Sequence, residues 1–401
     1  MKSLTRGKNA SKGFYANFER SRGKFFSGVP DSLLTPFTDE VIDRYGISDK
    51  HIVAANEGAA VGLAAGHYLT TGKPAVVYMQ NSGIGNAMNP ICSLIHQKVY
   101  AIPVIFVIGW RGEHGINDEP QHVFQGEVTL KMLELVEIPY VVVSKDSDLA
   151  QSMTCFKQHL ENGTPVAFVI KKNALVNKNG KKYVSNMPLT REEVLKIILA
   201  AAKLEDVFVC TTGKLSREIY EIRKNTDGVY SRDFLTVGSM GHSLMIAFGI
   251  ALAKPDRRVF CLDGDGSMLM HMGSVAVVGA HAPRNLVHIV INNGAHETVG
   301  GLPAVSGKLE LHATAKACWY GSCIRADSEI ELAKVLGAMN ETEMSNHVET
   351  KQQTAKKTHT ANTANSPTFI EILCNLHSRK DLGRPTTTPA ENKKIFMERL
   401  K

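Results

Sequence analysis

Residues 259–300 read VFCLDGDGSMLMHMGSVAVVGAHAPRNLVHIVINNGAHETVG, two apolar strand patterns separated by a helical stretch. The first run ends in Gly264-Asp265-Gly266 and the second in Asn292-Asn293. From Asp265 to Asn293 is 293 − 265 = 28 positions, room for one helix and a return strand. Two such runs lie in a parallel sheet with both polar ends at its carboxyl-terminal edge, where these sheets bind ligands. Met singly, Asp-Gly and Asn-Gly are ordinary turn dipeptides. At this spacing they bring together a carboxylate, an amide oxygen and a backbone carbonyl, an all-oxygen set suited to magnesium, which retains diphosphate oxygens in its shell. Glycine on both sides of Asp265 lets a phosphate approach the backbone.

The same α/β pattern fills the rest of the chain in two halves. Strand patterns at 51–55, 74–79, 103–108, 140–143 and 166–170 alternate with helical stretches in the first half. Those at 207–210, 258–262, 286–291 and 368–373 do so in the second. Lys, Asn and Gly dominate 171–186, and a Thr190-Arg-Glu-Glu capping box restarts the pattern. We therefore expect two doubly wound parallel-sheet domains at 11–172 and 190–380, joined by a linker at 173–189. Residues 341–366, rich in Thr, Asn and Lys without apolar periodicity, read as a disordered insertion. Residues 381–401 read as a polar tail with a short helix at 390–400.

Composition narrows the function classes. At 401 residues the chain exceeds one core. With 43% apolar residues, a mean hydropathy of −0.10 and no run of membrane-spanning length, it reads as soluble with no membrane partner. A formal charge of +7 suits an anionic substrate. The basic residues are scattered and only 7% of residues are aromatic, which argues against nucleic acid. Seven cysteines without a CxxC pair favour reduced thiols and a cytoplasmic setting. The first 26 residues are basic and poor in acids, but the Phe14, Phe18, Phe25 pattern runs into strand-like residues, which leaves about ten residues free for targeting.

Two more segments carry chemistry. In HIVAANEGAAVGLAAG (51–66) a strand ends and a Gly/Ala-rich helix begins at Glu57. A Glu in the first turn gains from the helix dipole whatever its function. In DFLTVGSMGHSLMIA (233–247) Met240 sits among glycines one strand before the Asp265 motif, although a buried Met is ordinarily core filler.

Together these segments resemble the thiamine diphosphate enzymes. The resemblance implies Asp265, the Asn293 side chain and the Ala295 carbonyl as magnesium ligands, with Gly264, Gly266 and Ser267 beside the diphosphate. It implies Glu57 as the carboxylate that hydrogen-bonds the aminopyrimidine ring, Met240 as the apolar wedge that bends the cofactor, and the Gly238 carbonyl as acceptor for the pyrimidine amino group. FSGVPDSLLTPF, NSGIGNAMNP, GWRGEHGINDEPQH, TTGKLSRE and NNGAHETVGGLP narrow it: from about 11 to 380, outside the insertion, the chain is similar to the phosphonopyruvate decarboxylase family. Sulfopyruvate decarboxylases are next in pattern, and both lack the middle domain of larger relatives. GIGNAM partly mimics a dinucleotide loop but lacks its third glycine.

What the resemblance implies is thiamine diphosphate- and Mg2+-dependent decarboxylation of 3-phosphonopyruvate to phosphonoacetaldehyde and carbon dioxide, in phosphonate biosynthesis. Such an anionic 2-oxo acid needs cations and amides, for which Arg111, Lys214, Arg217, Ser82 and Asn86 are candidates. Asp31, His122 and His114 are candidates for proton handling. Family members bind the cofactor between the pyrimidine-binding half of one chain and the diphosphate-binding half of another, which implies a homodimer or higher homo-oligomer. The alternatives are a decarboxylase of sulfopyruvate or another anionic 2-oxo acid, and a catalytically silent thiamine diphosphate-binding subunit. Intact Glu57, Asp265 and Asn293 stand against the silent subunit.

Overall fold

The computed structural model describes residues 24–176, 183–226, 228–299, 301–349, 366–379 and 381–401. It falls into two compact units, Met1–Lys182 with Thr298–Leu302, and Tyr183–Glu297 with Pro303–Lys401.

The first unit is a six-stranded parallel sheet of β1 (Phe26–Gly28), β2 (His51–Val53), β3 (Ala75–Gln80), β4 (Val104–Gly109), β5 (Tyr140–Val143) and β6 (Val166–Ile170), in the order β2-β1-β3-β4-β6-β5. Helices α1 (Thr35–Tyr45), α2 (Glu57–Thr71), α3 (Ile84–Pro90), α4 (Pro120–Leu135) and α5 (Leu149–Glu161) cover it. Alternation along β3 explains why the strands read as continuous apolar runs. Ala75, Val77 and Met79 pack with Ala60, Val61 and Ala64 of α2 and Leu133 of α4, whereas Val76 and Tyr78 pack with Phe37 and Val41 of α1 and Phe156 of α5. The order reverses between β1 and β3, the crevice where such sheets take ligands.

The second unit repeats the plan. Its strands are β7 (Val207–Cys210), β8 (Asp233–Leu235), β9 (Val259–Gly264), β10 (Leu286–Asn292), β11 (Ser322–Ala326) and β12 (Thr368–Leu373), all parallel, in the order β11-β12-β10-β9-β7-β8. Its helices are α6 (Arg191–Ala201), α7 (Lys214–Asn225), α8 (Ser243–Ala253), α9 (Asp265–Met270), α10 (Gly273–His281), α11 (Leu311–Ala317), α12 (Glu329–Glu349) and α13 (Pro389–Arg399). One face buries Phe208, Phe260, Leu262 and Ile289 under α6, α7 and α12. Behind it Cys261, Asp263 and His288 form a fully buried polar row, with His288 Nε2 3.6 Å from Asp263 Oδ2.

Several expectations need correction. β8 and β11 were not anticipated, because three to five residues carrying Ser, Asp or Arg give no period to read. Helix α12 runs through Glu349, nine residues into the segment expected to be disordered, since a packed helix propagates cheaply once nucleated. Residues 350–365 lie outside the described residues. The tail is not merely polar: a Thr388 capping box opens α13, whose Asn392 accepts from Leu235 N (3.1 Å) and donates to the Asp233 carbonyl (2.9 Å). Phe396 packs on Phe234, so α13 covers the β8 edge of the sheet. Among the described residues no helix is long and apolar enough to cross a membrane.

Candidate active site

In the first unit, Glu57 is the first residue of α2, behind the N-cap Asn56, whose side chain accepts from Ala59 N. It is buried, and desolvation raises its carboxyl above the usual range although Asn86 Nδ2 donates to Oε2 at 2.8 Å. Gly83 forms the opposing wall: a Cβ there would stand 2.4 Å from Glu57 Oε1. Asn86, a candidate for the substrate, thus holds Glu57.

At the β1–β3 crevice, fully buried Asp31 accepts from Gln80 Nε2 (2.7 Å) and Leu33 N (3.0 Å), and Ser82 Oγ donates to Gln80 Oε1 (2.7 Å). Burial pushes the Asp31 carboxyl up. Gly109 must be glycine, because a Cβ would lie 2.2 Å from Asp31 Oδ2. Arg111 is already engaged: its guanidinium forms a two-pronged pair with Asp118 and reaches Ser32 Oγ at 3.1 Å. It lines a cleft of about 160 Å3 with Ser32, Trp110, Asp118 and Lys172. His122, in the first turn of α4, is buried with Nδ1 unpartnered and its imidazole held low by desolvation. His114 is exposed.

In the second unit, Ile291 pairs with Gly264, so the residues following β9 and β10 stand side by side. Asp265 opens α9 fully buried, accepting from Ser306 Oγ. Desolvation pushes its carboxyl up to about 6, against hydrogen bonds from Ser306 and the Gly266 and Gly294 amides. Asn293 Oδ1 accepts from Ala295 N (3.1 Å) across Gly294, whose φ of 67° suits the left-handed turn. Asn292 is structural: Nδ2 donates to buried Glu371 (2.8 Å) and Oδ1 accepts from Gly294 N (3.0 Å).

Ser267 Oγ accepts from Thr211 Oγ1 and Gly241 N, each at 3.0 Å, bridging the second crevice between β7 and β9. Gly238, Ser239 and Gly241 all have positive φ, and Gly238 N donates to Thr212 Oγ1 at 2.8 Å; this strained turn presents Met240. A Cβ on Gly266 would meet the Met240 methyl and the His296 ring at 3.4 Å, so glycine keeps the space between them open. Desolvation lowers the His296 imidazole to about 4 and keeps it neutral.

Two expected substrate cations are occupied in the described structure. Arg217 Nε donates to the Gly383 carbonyl (2.7 Å) and Nη2 to that of Leu382 (2.5 Å), fastening the C-terminal segment. Lys214 Nζ donates to Glu297 (3.1 Å) and Ser378 (2.6 Å). A fork facing carbonyls and an ammonium shared between two acceptors leave little for a ligand.

The sequence reading passed over Gly83, Gln80, His296, Glu297 and Ser306. His296 and Glu297 lie inside the NNGAHETVGG motif and were within reach. Ser306 meets Asp265 from 41 residues away, a contact that no local pattern encodes.

The N-terminal TPP-binding domain of thiamine pyrophosphate enzymes matches residues 10–133, and the C-terminal TPP-binding domain of these enzymes matches residues 211–372. The phosphonopyruvate decarboxylase of Streptomyces viridochromogenes is 32% identical over 92% of this chain and 89% of its own. The chain belongs to the phosphonopyruvate decarboxylase family. That of Streptomyces hygroscopicus is 31% identical over 93% and 89%, and the sulfopyruvate decarboxylase of Methanosarcina acetivorans 27% over 72% and 79%. This family member is a thiamine diphosphate-dependent decarboxylase with the two-unit α/β architecture of these enzymes.

Proposed function

We propose that the chain decarboxylates 3-phosphonopyruvate to phosphonoacetaldehyde with thiamine diphosphate and Mg2+, as a step in phosphonate biosynthesis. The observation that carries the reading is the pair of buried helix-opening carboxylates, Glu57 in one unit and Asp265 in the other. The preference for phosphonopyruvate over sulfopyruvate rests on the higher identity and coverage of the former's enzymes.

The residues after β9 and β10 fit a magnesium diphosphate. Asp265 carboxylate, Asn293 amide oxygen and Ala295 carbonyl are hard oxygen donors, and a desolvated carboxyl at about 6 gains most from a cation beside it. Bound there, the cofactor supplies the electron sink that a departing carboxylate requires. Burial favours the neutral form of the Glu57 carboxyl, against hydrogen bonds from Asn86 and from its own backbone amide. Met240 and neutral His296 line a space without a formal charge, suited to losing a carboxylate's charge. Arg111, paired with Asp118 but lining an open cleft, is with the Ser82–Gln80–Asp31 chain our candidate for the anionic end of the substrate and its proton traffic; Arg217 is not.

Carbon dioxide release from phosphonopyruvate and from sulfopyruvate, each with and without chelator and added thiamine diphosphate, tests the reading. Metal- and cofactor-dependent release with phosphonopyruvate preferred is the expected outcome. Preference for sulfopyruvate overturns the substrate, and release by stripped enzyme in chelator overturns the cofactor site.

We further infer a homodimer or larger homo-oligomer. Helix α2 exposes Ala59, Gly62, Leu63, Gly66 and Leu69 on one face, and α8 and α10 expose Leu252 and Val277 with no Asp, Glu, Lys or Arg in either helix. Uncharged exposed faces rich in small residues suit a second copy. Refolding Glu57→Gln and Asp265→Ala chains together should restore activity; no recovery in mixed oligomers, or an active monomer in sedimentation, overturns shared sites.

A further inference from the structure

We propose that Glu297, held by Arg191 and Lys214, is a positioning residue that fixes which way the Asn293 carboxamide faces and hence which of its atoms a cation meets. The inference rests on the metal-site reading above. Asn293 Nδ2 donates to Glu297 Oε2 at 3.2 Å. A carboxylate only accepts hydrogen bonds, so the amide group turned toward it must be the NH2. The oxygen then points away, to where Ala295 N donates at 3.1 Å. Flipping the amide would set oxygen against the carboxylate and NH2 against a backbone N–H, two unfavourable contacts at once.

Glu297 is itself immobilised. Arg191 Nη1 donates to Oε2 at 2.5 Å and Lys214 Nζ to Oε1 at 3.1 Å. Glu218 holds the other two arms of Arg191 at 2.7 Å each, and Ser378 holds Lys214 at 2.6 Å. Two cations thus face two carboxylates in a largely buried, charge-balanced set, in which breaking one pair leaves a buried charge uncompensated. Burial alone would push the Glu297 carboxyl up, but Arg191 and Lys214 hold it below the usual range. Lys214 therefore acts through Glu297, which differs from the substrate contact expected for it.

The test exchanges the two groups. An Asp is ordinarily a stronger Mg2+ ligand than an Asn. Beside Glu297, Asn293→Asp should nevertheless raise the Mg2+ concentration that half-saturates thiamine diphosphate binding, read by calorimetry, at least about tenfold. The double variant Asn293→Asp/Glu297→Gln, which again pairs one carboxylate with one amide, should return to within about threefold of the unaltered protein. Glu297→Gln alone, which lets the Asn293 amide face either way, should raise the requirement about three- to tenfold, with melting recorded to show that each chain is folded. A folded Asn293→Asp that binds as tightly as the unaltered protein, or a double variant no better than that single one, overturns the inference. So does a folded Glu297→Gln with an unchanged requirement, and either single variant is decisive if the other does not fold. If the unaltered protein shows no Mg2+-dependent binding at all, the metal-site reading fails instead.

Discussion

Glu57 and Asp265 occupy corresponding places in two different sheets. Each opens the helix that follows a parallel strand, and burial raises the carboxyl of each. Their surroundings diverge. Glu57 has the Asn86 amide and the bare backbone of Gly83 beside it. Asp265 has Ser306, three backbone amides including its own and, across the strand pair, the Asn293 turn. One scaffold position yields a carboxyl suited to keeping a proton in the first case and to meeting a cation in the second. The neighbours decide the chemistry, and the helix terminus only supplies the place.

The largest effects should separate the two carboxylates. Asp265→Ala should abolish measurable thiamine diphosphate binding and lower turnover by about a thousandfold or more. Glu57→Gln should lower turnover by about 10²–10⁴ while keeping cofactor affinity within about tenfold. Calorimetry beside turnover reads both, and one shared phenotype would collapse the contrast. Next, Gly83→Ala should cost at least about tenfold in turnover by displacing Glu57, whereas Gly85→Ala, facing open space, should be silent. Equal activity in the two alanine variants would free Glu57 from its wall.

A smaller effect is pH-dependent. Burial raises the folded Asp265 carboxyl above its unfolded value of 3.8, so the folded chain binds that proton more tightly. The resulting stability is fully present below about pH 4 and is lost as pH rises through about 6, by up to about 3 kcal/mol. Denaturant melts of metal-free protein should show this slope, and Asp265→Asn should reduce it, leaving the part that the raised Glu57 and Asp31 carboxyls contribute; an identical slope in both would locate the titration elsewhere. Smallest of all, Arg217→Ala should destabilise by about 1–2 kcal/mol through its two carbonyl contacts and leave KM within about twofold. A large rise in KM would return Arg217 to the substrate.

Legibility in the sequence followed the range of the contacts. The β9–β10 register that sets Gly264 beside Ile291 follows from strand periodicity and a 28-residue interval, both local. Glu57 at the head of α2 and the Thr190 capping box were readable for the same reason. β8 was not, because its three residues take support from Asn392, 157 positions from Leu235. Arg217 misled because a cation in a site-like motif gives no hint of the Leu382 carbonyl 165 positions away. Charged side chains find partners through tertiary packing, and composition carries no record of which.

In each half-site one central contact is made within a short contiguous stretch. The Glu57–Asn86 bond closes 29 residues and the β9–β10 pairing joins one strand–helix–strand segment. Small loops close at little entropic cost, so these two contacts can form early in folding, before β12 or α13 finds its place. Amide hydrogens at 265–270 and 289–292 should then exchange only on global opening, while those of β8, propped by the distant α13, exchange through partial unfolding. Glu57 and the β9–β10 edge should then stay in place in a chain whose sheet edges have already begun to fray.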